Sequence, residues 1–169
     1  AVILPKDCDI LYINDSKKLS AKKREELYDV ILEKAVAYGI GIVSNERIDE
    51  INILQATYEA MREALSQLSP HAEYILADAV TIPRISTPQR GIIKGDAKSM
   101  SIGAASIVAK VYRDRLMAEL ALKYPFYAFE KNAGYGTKAH IEGLKQYGIT
   151  PEHRKSYRPI QEIMMQKAG

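Results

Sequence analysis

The stretch EYILADAVTIPRISTPQRGIIKGDAKSMSIGAASIVAK, residues 73–110, decides the fold of this 169-residue chain. Its apolar segment 74–79 predicts a strand that ends near Asp78, and GIIKG at 91–95 predicts a second strand directly before Asp96. A helix rich in glycine and alanine follows, and such small residues permit close approach to a sheet. Strands that alternate with helices indicate an α/β domain with a central, partly parallel sheet.

The segments before this stretch continue the alternation. Ser20 is a good N-cap for a helix that we expect to end at Gly39, and residues 40–44 predict a strand. Residues 47–68 have the apolar spacing of a second long helix. After Pro125 the sequence is irregular, and a helix is expected near residues 137–146. We expect one domain, with residues 125–169 as the C-terminal loop and helical region of the domain formed by residues 1–124.

Composition excludes several classes of protein. The single cysteine excludes an internal disulfide framework and multi-cysteine zinc sites. No apolar run approaches the roughly 18 residues that span a bilayer, and AVILP at the start is too short for a signal sequence. We therefore expect a cytoplasmic protein without membrane contact. The formal charge is only +3, but Lys and Arg cluster in residues 90–115 and 131–158, as expected of a polyanion-binding face or of ordinary solvated helix surfaces.

Two aspartates at neighbouring strand ends are the strongest chemical signal. Asp78 and Asp96 could hold a divalent cation, because two nearby carboxylates repel each other unless a cation lies between them. Oxygen ligands favour Mg²⁺ or Mn²⁺ over zinc. Lys94, Lys98 and Ser99 could then bind phosphate oxygens. Alternatively, Asp78 only starts a turn and Asp96 only caps a helix.

Other candidate residues allow two interpretations each. Tyr135 lies between two glycines, where its ring could pack as a lid on the core or stack on a sugar or base. The Asp-Ser-Lys turn that contains Ser16 and Lys17 is a weak phosphate signal. His140 and His153 are expected to be structural or to face phosphate.

Several segments together match a known family. They are INDSKKLS (13–20), INILQAT (51–57), ILADAV (75–80), KGDAKSMSIGAASIVAKVYRDR (94–115), NAGYGTKAH (132–140) and GITPEHRKSY (148–157). Through them the chain closely resembles the type 2 ribonucleases H, bacterial ribonuclease HII in particular. The resemblance covers nearly the whole chain in order, and the block at 94–115 is its most specific part.

The resemblance implies an RNase H-like α/β fold, with a five-stranded mixed central sheet flanked by helices and a helical C-terminal region. It implies an endonuclease that cleaves RNA in RNA–DNA hybrids and cuts 5′ of ribonucleotides embedded in duplex DNA. Two-metal hydrolysis with Mg²⁺ or Mn²⁺ would leave 3′-hydroxyl and 5′-phosphate ends. By the same resemblance, Asp78 and Asp96 are two of four acidic metal ligands and Tyr135 stacks on a deoxyribose. Ser16, Lys17 and Asn52 would line the nucleic-acid groove, and we expect a monomer.

One feature of the family has no counterpart in this sequence. Family members begin with a strand that carries Asp-Glu-Ala-Gly-Arg-Gly, whereas Asp49-Glu50 here lies at a helix start. The resemblance therefore implies that the first strand and two metal ligands are missing, so that this chain by itself is inactive. Two alternatives remain open: a module that binds hybrids without cleaving them, and a doubly wound signalling domain with an acidic magnesium pocket.

Overall fold

The computed structural model describes residues 1–10, Ile13 and residues 19–168. Four strands and seven helices are described: β1 (Val2–Ile3), α1 (Ala21–Lys34), β2 (Ala37–Tyr38), α2 (Asn45–Ser66), β3 (Ile75–Asp78), β4 (Gln89–Ile92), α3 (Gly95–Lys98), α4 (Met100–Lys123), α5 (Phe129–Asn132), α6 (Lys138–Tyr147) and α7 (Arg158–Ala168). The predicted α/β class is therefore correct. None of the helices in this described part of the chain is long and apolar enough to cross a membrane.

The strands form two small sheets of opposite sense. β1 pairs antiparallel with β2, and β3 pairs parallel with β4 so that Asp78 lies opposite Ile92. Antiparallel and parallel strand pairing both occur, as expected from the resemblance. Within the described residues, however, no hydrogen-bonded strand pairing joins the two pairs into one five-stranded sheet. Instead, β1 and the start of β3 line one cavity of about 410 Å³.

Helix α1 begins as predicted and ends earlier. The Ser20 side chain accepts the N–H of Lys23 at 3.2 Å, which is the expected cap. The expectation that the helix reaches Gly39 is wrong: Ala35 is extended, and the N–H of Val36 bonds to the carbonyl of Ile3 at 2.9 Å. Pairing with β1 thus takes the chain out of the helix. The strand predicted at residues 40–44 is not present; β2 lies before it, at Ala37–Tyr38.

Helix α2 contains an interruption at Asn52. Its φ of 69° and ψ of 164° are non-helical, and positive φ is strained for a residue with a side chain. The Asn52 Oδ1 accepts the N–H groups of Leu54 and Gln55 at 3.0 and 3.1 Å, so the side chain caps the second part of the helix. The long helix predicted from apolar spacing is therefore two helical segments joined by a capped kink.

The chain divides into two compact units, each built from two separate segments. The first comprises residues 1–42 and 57–111, and the second comprises residues 43–56 and 112–169. In the first unit, the most deeply buried side chains are Ile31, Ile107, Val108 and Val111, with a smaller cluster around Ile75. In the second unit the core contains Met117, Tyr127, Phe129, Leu144, Ile160 and Ile163. The boundary that we predicted between residues 124 and 125 stays a prediction.

Candidate active site

Asp78 is the last residue of β3 and points away from the core. Along this strand Ile75 and Ala77 are buried, whereas Leu76 and Asp78 are exposed, as the two-residue period of a strand requires. The Asp78 Oδ1 accepts the backbone N–H of Gly95 at 2.8 Å. This hydrogen bond ties the end of β3 to the start of α3. Asp78 therefore has a structural partner and an exposed carboxylate that can take another.

Asp96 follows Gly95 in α3 and is buried, with only 8% of its surface exposed. It lies inside the helix, because the N-cap position belongs to Lys94, so the alternative that Asp96 only caps the helix is wrong. No hydrogen bond or ion pair from another described residue reaches its carboxylate. Asp96 lies next to Gly95, which bonds to a second carboxylate, that of Asp78, and a cation relieves the repulsion between neighbouring carboxylates. The donor chemistry at this position therefore fits a hard divalent ion.

Gly95 is hydrogen-bonded to Asp78 and directly precedes Asp96 in the chain. It is buried between them, and a side chain added there would meet the end of Ile102 and come within 3.4 Å of the Asp78 Oδ1. Residues 75–78 and 89–92 run parallel, so the two strands end at the same edge. Asp96 itself lies in α3, beyond the end of β4 at Ile92, and the predicted metal pair of Asp78 and Asp96 stays a prediction. Among the described residues, however, no third acidic, histidine or cysteine side chain joins Asp78 and Asp96 in a metal-binding group.

The polar residues predicted beside Asp96 have different environments. Lys94 has left-handed backbone angles, φ 56° and ψ 45°, and both Lys94 and Lys98 are exposed. Neither makes an ion pair with another described residue, so both ammonium groups are available to an anion. Ser99 is half-buried, and its Oγ lies 3.4 Å from the N–H of Ile102 as a cap for α4. Ser99 is thus engaged in the fold, in addition to any phosphate contact that it makes.

Tyr135 lies in the loop between α5 and α6, and the residue is 74% exposed. The interpretation of this ring as a lid on the core is therefore wrong, and the ring is free to stack on a ligand. Its backbone is held on both sides: its N–H donates to the carbonyl of Asn132, and its own carbonyl accepts the N–H of Thr137, both at 2.8 Å. The Asn132 side chain also accepts the N–H of Gly134 at 2.8 Å. A fixed backbone thus presents an exposed aromatic ring.

The remaining predicted residues are distributed as follows. Asp78, Asp96, Lys94, Lys98 and Ser99 belong to the first unit, while Tyr135 and Asn52 belong to the second. Ser16 and Lys17 lie outside the described residues. The side-chain oxygen of Asn52 caps the second part of α2, a role that the sequence did not indicate.

His140 and His153 are buried, with 4% and 6% of their surfaces exposed, so neither imidazole faces a phosphate in solution. Their rings are hydrogen-bonded to each other, Nε2 to Nε2, at 3.0 Å. Both histidines lie in a basic segment of the sequence, where no local pattern indicated that they form a pair. The basic character of the second unit comes instead from side chains such as the exposed Lys138 and the half-buried Arg154, which lies over the ring of Tyr157.

Comparison with known proteins adds a family to this geometry. Residues 2–160 match the family model described as Ribonuclease HII. The chain belongs to the ribonuclease HII family. Solved structures agree with the assignment: the ribonuclease H2 of Pyrococcus horikoshii OT3 has a TM-score of 0.77 at 27% identity, over 92% of this chain and 81% of that one. The RNase HII in a PCNA:RNase HII complex from Archaeoglobus fulgidus has a TM-score of 0.69 at 25% identity, over 89% and 80%.

Curated ribonuclease HII relatives are much more similar in sequence. The Leuconostoc mesenteroides protein is 60% identical over 164 residues, which are 97% of this chain and 64% of the relative. The Lachnoclostridium phytofermentans protein is 64% identical over 157 residues, which are 93% of this chain and 62% of the relative. The chain thus spans slightly less than two thirds of these relatives. The family resemblance read from the motifs and the RNase H-like fold class are both confirmed.

Proposed function

We propose that the whole protein is an endoribonuclease that cleaves the RNA strand of RNA–DNA hybrids and cuts 5′ of ribonucleotides embedded in duplex DNA. The observation that carries the proposal is the hydrogen bond from Gly95 to Asp78, which holds an exposed carboxylate beside the buried Asp96. Family membership supports the same activity. The substrates would be recognised as RNA by the ribose 2′-hydroxyl.

Asp78 and Asp96 are the residues that would hold Mg²⁺ or Mn²⁺. When bound, such ions activate a water molecule and neutralise charge on the phosphate and the leaving oxygen. Asp96 would contribute a carboxylate in a buried position. Asp78 would contribute an exposed carboxylate that is held in place by the hydrogen bond from Gly95 to its Oδ1. Lys94 and Lys98 would attract the phosphate backbone. Tyr135 would stack on the sugar, while Ser16, Lys17 and Asn52 would contact the strand.

A specific observation favours a second function for the 169-residue chain taken by itself. Its described residues bring together only two carboxylates, whereas two-metal sites need more ligands than that. We therefore propose that this chain by itself binds the hybrid without cleaving it. The monomeric state and the cytoplasmic location stay predictions.

The two proposals are tested with the same substrates. Purified whole protein and the 169-residue chain are each incubated with an end-labelled RNA–DNA hybrid and with duplex DNA that contains one ribonucleotide, in Mg²⁺ or Mn²⁺. The whole protein should release 3′-hydroxyl and 5′-phosphate ends, while the chain should shift the hybrid in a binding assay without cutting it. Cyclic phosphate ends from the whole protein would refute metal-dependent hydrolysis. Rapid magnesium-dependent cutting by the chain would refute its inactivity.

A further inference from the structure

The second unit contains a buried pair of imidazoles that the proposed chemistry does not use. His140 lies in α6, and His153 lies in the segment between α6 and α7. The two Nε2 atoms are 3.0 Å apart, so one must carry a proton and the other must accept it. On its far side each ring has one further backbone partner. His153 Nδ1 is 2.9 Å from the N–H of Thr150, and His140 Nδ1 is 3.0 Å from the carbonyl oxygen of Tyr135.

One arrangement of protons satisfies all of these contacts together. A backbone N–H can only donate, so the Nδ1 of His153 accepts from the N–H of Thr150, and the Thr150 hydroxyl, whose oxygen is 2.8 Å from the same Nδ1, takes the role of a second donor. The proton of His153 is then on Nε2. That proton is donated to the Nε2 of His140, whose own proton must then be on Nδ1. His140 Nδ1–H finally donates to a carbonyl oxygen, which can only accept. The direction of all the bonds is thus set from Thr150 to Tyr135. We call this chain of hydrogen bonds, from Thr150 through His153 and His140 to Tyr135, the imidazole relay.

The surroundings hold both rings in place. The rings of Tyr127 and Phe129 lie between 5.3 and 6.3 Å from the two imidazoles, centre to centre. Burial, together with the neighbouring His140, lowers the pKa of His153 to about 4. Every ring nitrogen already donates or accepts within the relay, so each imidazole is held by hydrogen bonds on both sides.

The end of the relay is the residue that presents its ring to solvent. The carbonyl oxygen of Tyr135 receives two donors, the N–H of Thr137 at 2.8 Å and the Nδ1–H of His140 at 3.0 Å. Both of its lone pairs are therefore occupied, and the peptide plane after Tyr135 is fixed. Tyr135 as a whole is 74% exposed, so its ring faces solvent. Orientation of this ring thus depends on its backbone, and the backbone depends in part on a buried histidine.

We propose that His140 and His153 are positioning residues for Tyr135: the imidazole relay fixes the Tyr135 carbonyl so that the exposed ring meets the substrate sugar in one orientation. This inference rests on the proposed function, because it assumes that Tyr135 contacts the sugar. His140 acts directly on Tyr135, and His153 acts by holding His140 in the tautomer that donates from Nδ1.

The first test reads the tautomers in the unaltered protein. The sequence contains only three histidines, so a sample labelled with ¹⁵N-histidine gives few signals, and a His71→Gln variant identifies the third. At neutral pH, long-range ¹H–¹⁵N correlations should show His140 protonated on Nδ1 and His153 protonated on Nε2. The opposite tautomer at either ring would overturn the proposal, and the result needs no substitution of His140 or His153.

The second test measures cleavage by the whole protein on duplex DNA with one ribonucleotide. His140→Leu removes the donor to Tyr135 and should lower kcat about 10-fold or more, with KM changed less than about 3-fold, because misplacing a contact group mainly affects the reacting geometry. His140→Asn keeps an N–H near the position of Nδ1 and should recover most of kcat. Equal loss of kcat in both variants, with unchanged melting temperatures, would overturn the proposal. His71→Leu, at an exposed site, is the matched control.

A double-mutant cycle separates positioning from a general structural effect. In a Tyr135→Ala background, His140→Leu should cause little further loss of kcat, since the group that it positions is already gone. An undiminished loss in that background would show that His140 does not act through Tyr135. If Tyr135→Ala alone has no effect, the relay has no catalytic consequence and the inference fails. If the unaltered whole protein does not cleave at all, the proposed function fails instead, so the two failures are distinguishable.

Discussion

Asp78 combines two roles that a pair of substitutions can separate. Its Oδ1 accepts the N–H of Gly95 at 2.8 Å, and its exposed carboxylate is a proposed metal ligand. Asp78→Asn keeps an acceptor oxygen and removes the charge, whereas Asp78→Ala removes both. Gly95 is buried, so the alanine variant leaves its N–H without a partner.

The magnitudes follow from that hydrogen bond. Leaving a buried donor unpaired costs about 1–3 kcal/mol, whereas exchanging a charged for a neutral acceptor costs about 1 kcal/mol. In a domain of this size, about 1 kcal/mol lowers the melting temperature by about 2–4 °C. Asp78→Ala should therefore melt several degrees below Asp78→Asn. Loss of a metal ligand removes several kcal/mol of transition-state stabilisation, so both variants should lose about 10³-fold or more in cleavage rate.

The assay compares single-turnover cleavage of an RNA–DNA hybrid, hybrid binding and thermal unfolding in the whole protein. Asp29→Asn, on the exposed surface of α1, is the matched control for loss of a negative charge. Hybrid binding should change little in either Asp78 variant. Near-normal cleavage by Asp78→Asn would remove Asp78 from the metal site. Equal melting temperatures for the asparagine and alanine variants would show that the bond to Gly95 contributes nothing.

Three further predictions concern stability. Leu144→Ala, at a position only 1% exposed, should lower the free energy of unfolding by about 2–5 kcal/mol in urea denaturation, whereas an unchanged midpoint would contradict its burial. Asn52→Ala should lower the free energy of unfolding by about 1–2 kcal/mol through loss of the cap. Asn52→Gly should lower it less, because glycine accepts the φ of 69°. A larger loss in the glycine variant than in the alanine variant would contradict the kink. His153 has a pKa of about 4 in the folded protein, below the ordinary 6.5, so its contribution to stability is present above pH 6.5 and is lost as the pH falls towards 4. Urea midpoints measured across that range should fall less in His153→Gln than in the unaltered protein.

Local signals in the sequence were sufficient where the structure depends on local interactions. The Ser20 cap, the strand that ends at Asp78 and the long helix after Asp96 all depend on neighbours in the chain, and each is present. The two aspartates were expected at one edge because parallel strands end together, and Gly95 links them there.

Other features depend on contacts between residues that are distant in the chain, and the apolar periodicity of the sequence does not predict such contacts. Helix α1 stops at Lys34 because residues 36–39 bond to residues 1–3. Gly41 packs closely on the backbone of Ala60. This contact is found where the β-branched residues at 40–44 had predicted a strand. The kink at Asn52 and the pairing of His140 with His153 likewise require partners that only the fold brings together.

The division of the chain into two units has a consequence for modularity. Because each unit is assembled from two non-adjacent segments, neither can be cloned or released by protease as one continuous piece. A fragment of residues 112–169 would lack Asp49, whose carboxylate accepts the N–H groups of Lys155 and Ser156 at 2.7 and 3.0 Å. It would also lack Asn45, which donates to the carbonyl of Pro151 at 2.7 Å. The loop that contains His153 would then lose its anchors, so the Tyr135 segment cannot be transplanted into another protein without residues 43–56.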